Sequence, residues 1–418
     1  MKLSCNFLIL LEFACMLIIT GGIIIYLYIQ EFPSNNNPRS FFLENYPQFD
    51  YLDCNLNFDG NLDQINLQNI TKQNRDNTTE ICLSDEQIRI FNLTKNLRPR
   101  LNTNYSGYMG PWIEDGVFCN WITQYSTKQI KVCNESEPIP PVYIPIFWTS
   151  IHRNKVELDL KKEWKKEAQD VLNSLKNETM YFTVLQDAEG FKKSKLKFMS
   201  MSNLIVFNAG GATTGFKQVP IPLIKGELQY EGLKAKKDIW VSSTIVKKHF
   251  PVRKKLFETF SYYNVTDEML DKITPFKVLE NVTNQFIHYQ GDQFKQVIQR
   301  STFHLCPRGF GRTSFRLYES VQLGTIPIYI WDDVNWIPYG NLMERLGIVI
   351  HISQIEDLFD ILNSLSEDEL KFKFEQIKKF KHWFTYLGIT NYILKVIKRL
   401  PPDIILKQNI ESKYLALY

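Results

Sequence analysis

The stretch that decides the fold is residues 300–339, RSTFHLCPRGFGRTSFRLYESVQLGTIPIYIWDDVNWIPY. Its first apolar run, residues 302–306, is stopped by Pro307 and predicts a strand. A glycine-bearing loop then leads into a helix that ends at Gly324, and residues 326–331 predict the next strand. We therefore expect one compact strand–loop–helix–strand unit around which the rest of the chain is arranged.

The loop of this unit has the features of an anion-binding site. A helix start offers unpaired backbone N–H groups and the positive end of the helix dipole, which together favour phosphate. Arg308, Arg312 and Arg316 add positive charge there. Glu319 projects from the second helical turn, at about the reach of a ribose whose phosphates lie on the helix end.

The motif LCPRGxGxxSxRLYExxxLGxIPIYI resembles the signature of the exostosin-like glycosyltransferases, which are inverting nucleotide-sugar enzymes of the two-domain GT-B fold. The resemblance implies that Arg308 and Arg316 bind the donor diphosphate, that Ser314 lies at the helix start beneath it, and that Glu319 binds the ribose. The residues expected to bind the donor are Arg308, Gly309, Gly311, Arg312, Ser314, Arg316 and Glu319. Fainter similarity, through IPIFWT, YFTVLQDAEG, IVFNAGG and IPLI, extends over residues 143–386.

Three other interpretations of these segments are less favoured. A dinucleotide-binding fingerprint is disfavoured because Ser314 replaces its third glycine and because the unit does not open its domain. A P-loop at residues 210–217 is rejected because Phe216 stands where the motif needs lysine. Arg316 and Glu319 could instead be a solvated ion pair on one helix face with no role in binding. Their place beside this loop favours the functional interpretation.

The chain of 418 residues is long enough for two sizeable domains and a tail. Residues 7–29 form an apolar stretch broken only by Glu12, which is long enough to cross a bilayer because a span needs about 20 residues. The charge distribution around it favours a cytoplasmic N-terminus, and we expect a signal anchor rather than a cleaved signal peptide. The net charge of +4 gives no argument for binding nucleic acid.

Sequons and cysteines agree with a lumenal position for the part beyond the anchor. The Asn-x-Ser/Thr sites lie at Asn69, Asn77, Asn92, Asn104, Asn134, Asn177, Asn264 and Asn281. Cys54, Cys82, Cys119 and Cys133 permit two disulfides with three possible pairings, of which Cys119 with Cys133 is the preferred local pair. Cys306 is expected to be a buried apolar residue rather than a nucleophile.

The remaining chain predicts an α/β protein with two Rossmann-like parallel-sheet domains behind the membrane helix and a stem. The predicted segments are the cytoplasmic tip and anchor (1–30), the stem (31–105), an acceptor-side domain (106–230), a nucleotide-sugar-binding domain (231–400) and a tail (401–418). Buried strands are expected at 143–148, 180–186, 204–207, 239–244 and 348–352, and helices at 85–93, 159–176, 252–262 and 367–387. Loops at the carboxyl ends of parallel strands should face the cleft.

Asp187 and Glu189 follow one of these strands and are the candidate catalytic bases. The alternative role of Asp187 is to cap the helix that follows, a position that aspartate favours. The expected function is a type II Golgi or endoplasmic-reticulum glycosyltransferase that transfers a sugar, with inversion, from a UDP-linked donor to a glycan acceptor. The alternative is an inactive lumenal sugar- or nucleotide-binding protein of the same fold. No protein-bound metal is expected to be obligatory. Asp332 and Asp333 could hold a divalent cation, and capping of the strand end is the alternative role for them. The expected partners are donor, acceptor and membrane, without nucleic acid, and homo- or hetero-oligomers are compatible with the sequence.

Overall fold

The computed structural model describes residues 82–98, 113–116, 131–132, 141–153, 158–187, 203–211, 217–224, 228, 237–246, 250–270 and 285–399. All of them lie in one compact unit, Tyr51–Tyr418. The predicted anchor, most of the stem, the tail and Glu189 lie outside the described residues. Among the described helices, none has the length and apolar character to cross a membrane.

Every pair of neighbouring strands in the described part is parallel. The strands are β1 Cys82–Leu83, β2 Lys131–Val132, β3 Val142–Tyr143, β4 Tyr181–Leu185, β5 Leu204–Asn208, β6 Lys217–Pro220, β7 Ile239–Ser243, β8 Ser261–Val265, β9 Gln285–Tyr289, β10 Ser301–Pro307, β11 Ile326–Trp331 and β12 Ile348–His351. They form a two-stranded sheet, β1-β2, a four-stranded sheet in the order β3-β4-β5-β6, and a six-stranded sheet in the order β12-β11-β10-β7-β9-β8. The α/β class with parallel sheets is therefore confirmed.

Helices connect these strands. They are α1 Asp85–Leu93, α2 Ile113–Gly116, α3 Trp148–Arg153, α4 Leu158–Asn173, α5 Pro251–Thr259, α6 Asp267–Leu270, α7 Phe294–Arg300, α8 Phe315–Gln322, α9 Leu342–Leu346, α10 Leu358–Asn363, α11 Glu367–Phe380 and α12 Tyr386–Arg399. Three short 3-10 helices lie at Lys95–Leu97, Ile352–Asp357 and Lys381–Phe384.

The strand order of the six-stranded sheet creates a switch point. On one side of β10 the sheet continues with β11 and then β12. On the other side of β10 lies β7, and beyond it the sheet continues with β9 and then β8. The chain therefore leaves β7 toward one edge of the sheet and leaves β10 toward the other edge. A crevice opens at such a point beyond the carboxyl ends of the strands, and ligands of parallel α/β proteins bind there.

The predicted strand–loop–helix–strand unit is formed by β10, α8 and β11, and it lies in the middle of this sheet. All residues of β10 are buried, as are the first five of β11. Gly324, which follows α8, has φ of 74°, a left-handed conformation in which glycine ends a helix without strain. The unit is held on both sides, because β10 also pairs with β7 and β11 also pairs with β12.

One continuous apolar core joins the four-stranded and six-stranded sheets. It contains Phe182 and Phe207 from the first sheet, Val241 from β7 and Leu305 from β10. A second core cluster covers the other face of the four-stranded sheet. Helix α1, which falls in the predicted stem, is bound to β3 by a pair of hydrogen bonds in which Gln87 donates to the Tyr143 carbonyl at 2.9 Å and accepts from its N–H at 2.8 Å.

Three expected elements differ from the structure. The strand predicted at 143–148 ends at Tyr143, because Pro145 has no N–H for a sheet ladder and the chain turns into α3 at Trp148. The helix predicted at 252–262 ends at Thr259, and its last residues belong to β8. The helix predicted at 367–387 is interrupted by the 3-10 turn Lys381–Phe384. The predicted domain boundaries stay a prediction.

Candidate functional site

The loop after β10 runs through residues 308–314 at the switch point and reaches both sheets. The Arg308 N–H donates to the Ile330 carbonyl at the end of β11, at 3.2 Å. The Arg312 N–H donates to the Gly210 carbonyl, 2.8 Å away in the loop after β5 of the four-stranded sheet. Trp336 reinforces this junction, since its indole N–H donates to the Asn208 carbonyl at 3.1 Å. The loop therefore lies where the carboxyl ends of the two sheets meet.

Arg308 is held in place by Asp332, which follows β11. Its Nη2 donates to Asp332 Oδ2 at 2.9 Å, its Nε lies against Oδ1 of the same carboxylate, and its Nη1 donates to the Gly311 carbonyl at 3.3 Å. The two side chains are 16% and 17% exposed. The predicted phosphate ligand is thus accessible at one edge and has a fixed orientation.

Arg312 makes a similar pair with the next carboxylate, because its Nε donates to Asp333 Oδ2 at 2.8 Å. Burial alone would raise the pKa of Asp333, but the hydrogen bonds from Arg312 and the Val334 N–H and the positive charges of Arg312 and Arg308 lower it. The Arg312 side chain also packs on Gly211, where an added Cβ would lie about 3.1 Å from Arg312 Cβ. Gly211 has φ of 135°, so both its conformation and its close approach to Arg312 require glycine.

Arg316 and Glu319 do form the ion pair that the sequence allowed as an alternative, through Arg316 Nη1 and Glu319 Oε2. The pair is only partly solvated, since the side chains are 25% and 13% exposed. The Arg316 guanidinium also lies over the Phe294 ring, 4.2 Å from its centroid, and its Nε donates to the Thr244 carbonyl at 3.5 Å. Arg316 therefore connects α8 to the end of β7 across the switch point.

The start of α8 retains backbone donors. Ser314 is its N-cap residue, yet the Ser314 side chain makes no capping hydrogen bond. The loop before it is closed by a hydrogen bond of 3.1 Å from the Gly309 N–H to the Thr313 carbonyl. A helix start with Arg308 and Arg316 beside it combines the helix dipole with the positive charge of two arginine side chains, which is an arrangement that binds phosphate.

A neutral polar layer lies beneath this loop. His304 of β10 is fully buried, with Ser242 Oγ 2.8 Å from Nδ1 and Thr244 Oγ1 3.1 Å from Nε2. Burial lowers the pKa of His304 well below its usual value, and the charge of Arg316 lowers it further. Cys306 is buried, and burial raises its pKa to about 12. The prediction that Cys306 is not a nucleophile agrees with this setting.

Arg253 is a member of this site that the sequence did not indicate. It lies in α5 after β7 and is 8% exposed. Its Nε donates to the Arg308 carbonyl at 3.3 Å, and its Nη2 lies 3.0 Å from the position that a Cβ on Gly309 would take. Gly309 thus allows the loop to approach Arg253. The sequence did offer one signal, since Arg253 lies in the first turn of the helix that follows β7. That turn lies at the same carboxyl edge of the six-stranded sheet as Arg308.

Asp187 lies on the other sheet, two residues after β4, and is buried with 3% exposure. β4 pairs with β5, whose following loop holds Arg312, so Asp187 lies one strand away from that junction. The other predicted base, Glu189, lies outside the described residues. Asp187 therefore lies at the carboxyl edge of the four-stranded sheet, and the arginines lie at the carboxyl edge of the six-stranded sheet. The two edges meet at the Gly210–Arg312 contact.

Asp332 pairs with Arg308, and Asp333 pairs with Arg312. The two carboxylates are therefore not directed together at one common point. Within the described ranges, no three His, Cys, Asp or Glu side chains converge as a metal site would require. The carboxylates also cap the strand end, because Asp332 Oδ1 accepts from the Asp333 N–H at 2.9 Å. That is the structural role that the sequence left open for them.

Comparison with known proteins locates the family resemblance in this region. Residues 218–365 match the profile of the Exostosin GT47 domain. A protein of Oryza sativa subsp. japonica named probable glucuronosyltransferase is 37% identical over 73 residues, which cover 17% of this chain and 17% of the relative. A probable beta-1,4-xylosyltransferase of Arabidopsis thaliana is 36% identical over 70 residues, 16% of this chain and 17% of the relative. The chain thus matches less than a fifth of each of these relatives.

Solved structures with similar chain paths include Anabaena HepE in complex with UDP-glucose, at 11% identity and a TM-score of 0.34, covering 68% of this chain and 89% of that one. Another is the pneumococcal O-GlcNAc transferase GtfA with UDP and GlcNAc, at 15% identity and a TM-score of 0.28, covering 54% and 45%. These scores are too low to support an argument about this chain. The family resemblance depends instead on the matched domain, which contains the whole of β7 to β12 and the arginine loop. Residues 218–365 thus match the Exostosin GT47 domain, which supports the exostosin-like glycosyltransferase resemblance of this part of the chain.

Proposed function

We propose that this protein is a glycosyltransferase that transfers a sugar from a UDP-linked donor to a glycan acceptor, with inversion of the anomeric centre. The observation that carries the proposal is the arginine loop at the switch point, where Arg308, Arg312 and Arg316 surround the start of α8 inside an exostosin GT47 domain. The names of the relatives suggest UDP-glucuronate and UDP-xylose as the first donors to test.

The arginines can bind a diphosphate without leaving their carboxylate partners. A guanidinium has five N–H donors, so an arginine that pairs with a carboxylate can also donate to a phosphate oxygen. With Arg253 included, four arginines face three carboxylates, Asp332, Asp333 and Glu319. The local excess of positive charge suits a dianionic diphosphate, and it would stabilise the negative charge that develops on the leaving UDP.

In the proposed reaction the acceptor hydroxyl oxygen attacks the anomeric carbon as the bond from that carbon to the UDP oxygen breaks. The hydroxyl proton passes to a base on the acceptor side of the cleft, and UDP leaves with the bonding electron pair. Asp187, which follows β4 at the carboxyl edge of its sheet, and Glu189, two residues later in the sequence, are the proposed bases. The two parallel sheets that meet at this edge support a GT-B arrangement, with the donor on the six-stranded sheet.

The decisive experiment is a donor screen on the purified chain beyond the proposed anchor. UDP-glucuronate, UDP-xylose and UDP-N-acetylglucosamine are each incubated with β-1,4-linked xylose and glucose oligosaccharides, and released UDP and the product anomer are measured. Turnover with an inverted linkage supports the proposal. Tight UDP binding without turnover for any pair supports the inactive binding protein instead, and absence of UDP binding rejects the proposed UDP-sugar transferase.

The proposed setting is the Golgi or endoplasmic-reticulum membrane, with the catalytic part in the lumen behind the apolar segment at 7–29. Three of the sequon asparagines, Asn92, Asn177 and Asn264, lie at exposed positions of the described chain. We expect residues 50–418 to be protected from protease in intact vesicles and to lose mass with a glycosidase that removes N-glycans. Digestion of this part in intact vesicles would contradict the topology.

A further inference from the structure

An exposed aromatic side chain lies at the tip of the arginine loop, residues 308–314. Phe310 is 54% exposed, whereas the other residues of this loop are buried or half-buried. The Gly309 N–H donates to the Thr313 carbonyl at 3.1 Å and closes the loop, so that residues 310–312 form its tip. The most apolar residue of the loop therefore occupies its most solvated position.

This exposure is unusual for a loop tip beside a binding site. Such tips are commonly formed by glycine or by small polar residues, whereas apolar surface left in water beside a site marks a place where a ligand binds. Val334 is a second exposed apolar residue at this edge, at 37%, and it directly follows Asp333, the partner of Arg312. Apolar surface thus accompanies the charged groups of the proposed donor site.

Phe310 packs against an aromatic partner from the neighbouring connection. Its ring meets that of Phe250, the N-cap residue of α5, edge to face, with 4.7 Å between the centroids and 75° between the planes. The Arg253 guanidinium lies 5.2 Å from the Phe250 centroid, and its Nε donates to the Arg308 carbonyl at 3.3 Å. In an edge-to-face pair each ring keeps a face that its partner does not cover, so the pair offers an oriented aromatic surface.

The location of this surface points to the acceptor. Arg312, two residues after Phe310, donates its N–H to the Gly210 carbonyl of the four-stranded sheet at 2.8 Å, so the loop tip lies where the two sheets meet. Along the chain, the start of α8 lies between Phe310 and Glu319. A donor with its diphosphate on that helix start and its ribose on Glu319 therefore directs its sugar end, which the acceptor approaches, toward the loop tip.

A sugar ring has the chemistry that suits this surface. Ligand sites combine aromatic side chains with a few polar groups that fix orientation. A pyranose whose hydroxyls are equatorial, as in β-1,4-linked xylose or glucose, presents a flat face of C–H groups to an aromatic ring. Its rim of hydroxyl oxygens can accept hydrogen bonds from guanidinium N–H groups.

We infer that Phe310 forms an acceptor subsite, in which its ring stacks on the C–H face of a pyranose of the glycan acceptor and Phe250 is a positioning residue that orients it. The inference rests on the proposed glycosyltransferase function. It makes Phe310 a specificity-determining residue that selects acceptors with a flat C–H face. Phe310 contacts no reacting atom.

The test compares Phe310→Ala and Phe310→Tyr with Phe372→Ala in the purified full chain, kept in a detergent without a sugar headgroup. Phe372 of α11 is a matched control, because it is 45% exposed and lies outside the arginine loop. Calorimetry measures the affinities for UDP, UDP-xylose and UDP-glucuronate. Saturation-transfer NMR with UDP present measures binding of β-1,4-linked xylose and glucose oligosaccharides and identifies the ring protons that contact the protein. Thermal unfolding reports the folded fraction.

Phe310→Ala should weaken oligosaccharide binding about tenfold, the effect of one lost stacking contact, with UDP affinity unchanged within about twofold. Saturation transfer to the C–H protons of one ring face should fall with it. In turnover, the KM of the acceptor should rise while kcat and the KM of the donor stay unchanged. Phe310→Tyr retains the ring and should retain binding, and Phe372→Ala should behave as the wild type.

The subsite is rejected if folded Phe310→Ala binds oligosaccharide as the wild type does, if Phe310→Tyr loses binding as alanine does, or if Phe372→Ala causes the same loss. Weaker UDP binding by Phe310→Ala would assign the ring to the uracil, and weaker binding of UDP-sugars alone would assign it to the transferred sugar. Both results reject an acceptor subsite, as does a wild type that binds UDP but no oligosaccharide. Failure of the wild type to bind UDP at all rejects the proposed function itself.

Discussion

Replacing Glu319 with alanine should weaken UDP binding while leaving inorganic diphosphate binding unchanged or stronger. Glu319 projects from the second turn of α8, where it pairs with Arg316. If its carboxylate binds the ribose hydroxyls, its removal costs about 1.5 to 3 kcal/mol, which corresponds to about a tenfold to hundredfold loss of UDP affinity. Diphosphate lacks the ribose, so that term does not apply to it.

The ion pair adds an opposite effect. Without Glu319, Arg316 has lost its carboxylate partner and its positive charge is less neutralised, which favours a bound phosphate. The pair itself stabilises the helix by only a few tenths of a kcal/mol to about 1 kcal/mol, because i,i+3 pairs near the surface are weak. The variant should therefore remain folded.

The measurement is calorimetric titration of the purified lumenal chain with UDP and, separately, with inorganic diphosphate. Glu258→Ala is the matched control, since it removes the exposed Lys254–Glu258 pair of α5, at 3.6 Å, away from the loop. Equal weakening of UDP and diphosphate would mean that Glu319 only orients Arg316. Unchanged affinity for both would remove Glu319 from the donor site.

Arg308→Ala should weaken UDP and diphosphate alike by about 1.5 to 3 kcal/mol in the same titrations, and unchanged affinity for both would displace the phosphate site. Asp187→Asn or Glu189→Gln should lower turnover about a hundredfold to ten-thousandfold at saturating substrates with UDP affinity retained, and near-normal turnover in both would exclude them as the base. Burial would raise the pKa of Glu86, but hydrogen bonds from Arg89, Tyr181 and Lys176 outweigh it and lower the pKa to about 2. The ionised Glu86 therefore stabilises the fold above its ordinary pKa of 4.5, and this stabilisation is lost as the pH falls from 4.5 to 2. Glu86→Gln should lower the free energy of unfolding, measured with denaturant, by about 3 kcal/mol at pH 7 and by little at pH 2. An equal loss at both pH values would contradict this.

Strands that are buried on both faces could be predicted from the sequence nearly to the residue. β4, β5, β10 and β11 are continuous apolar runs because parallel strands covered by helices need apolar residues at every position. β8 was missed for the opposite reason. Its residues are mostly exposed at the edge of the sheet, and only Val265 is buried, so no apolar run marks it.

The donor loop could be predicted because its members lie close together in sequence. Arg308, Arg312, Arg316 and Glu319 fall within twelve residues, and one loop and one helix place them at the same edge. Arg253 could not be predicted in this way. It contacts Arg308 from 55 residues away, so only the strand order brings it to the site.

The carboxylates of the donor loop have a physical role that motif matching alone does not supply. A long arginine side chain loses about 2 kcal/mol of conformational entropy when it is immobilised. Asp332, on Nε and Nη2, and the Gly311 carbonyl, on Nη1, already fix Arg308 before any ligand is bound. Much of this ordering cost therefore falls on folding rather than on donor binding, and the backbone N–H groups at the start of α8 are available to the same phosphate oxygens. The ion pairs of this loop are thus consistent with a preorganised donor site and do not argue against one.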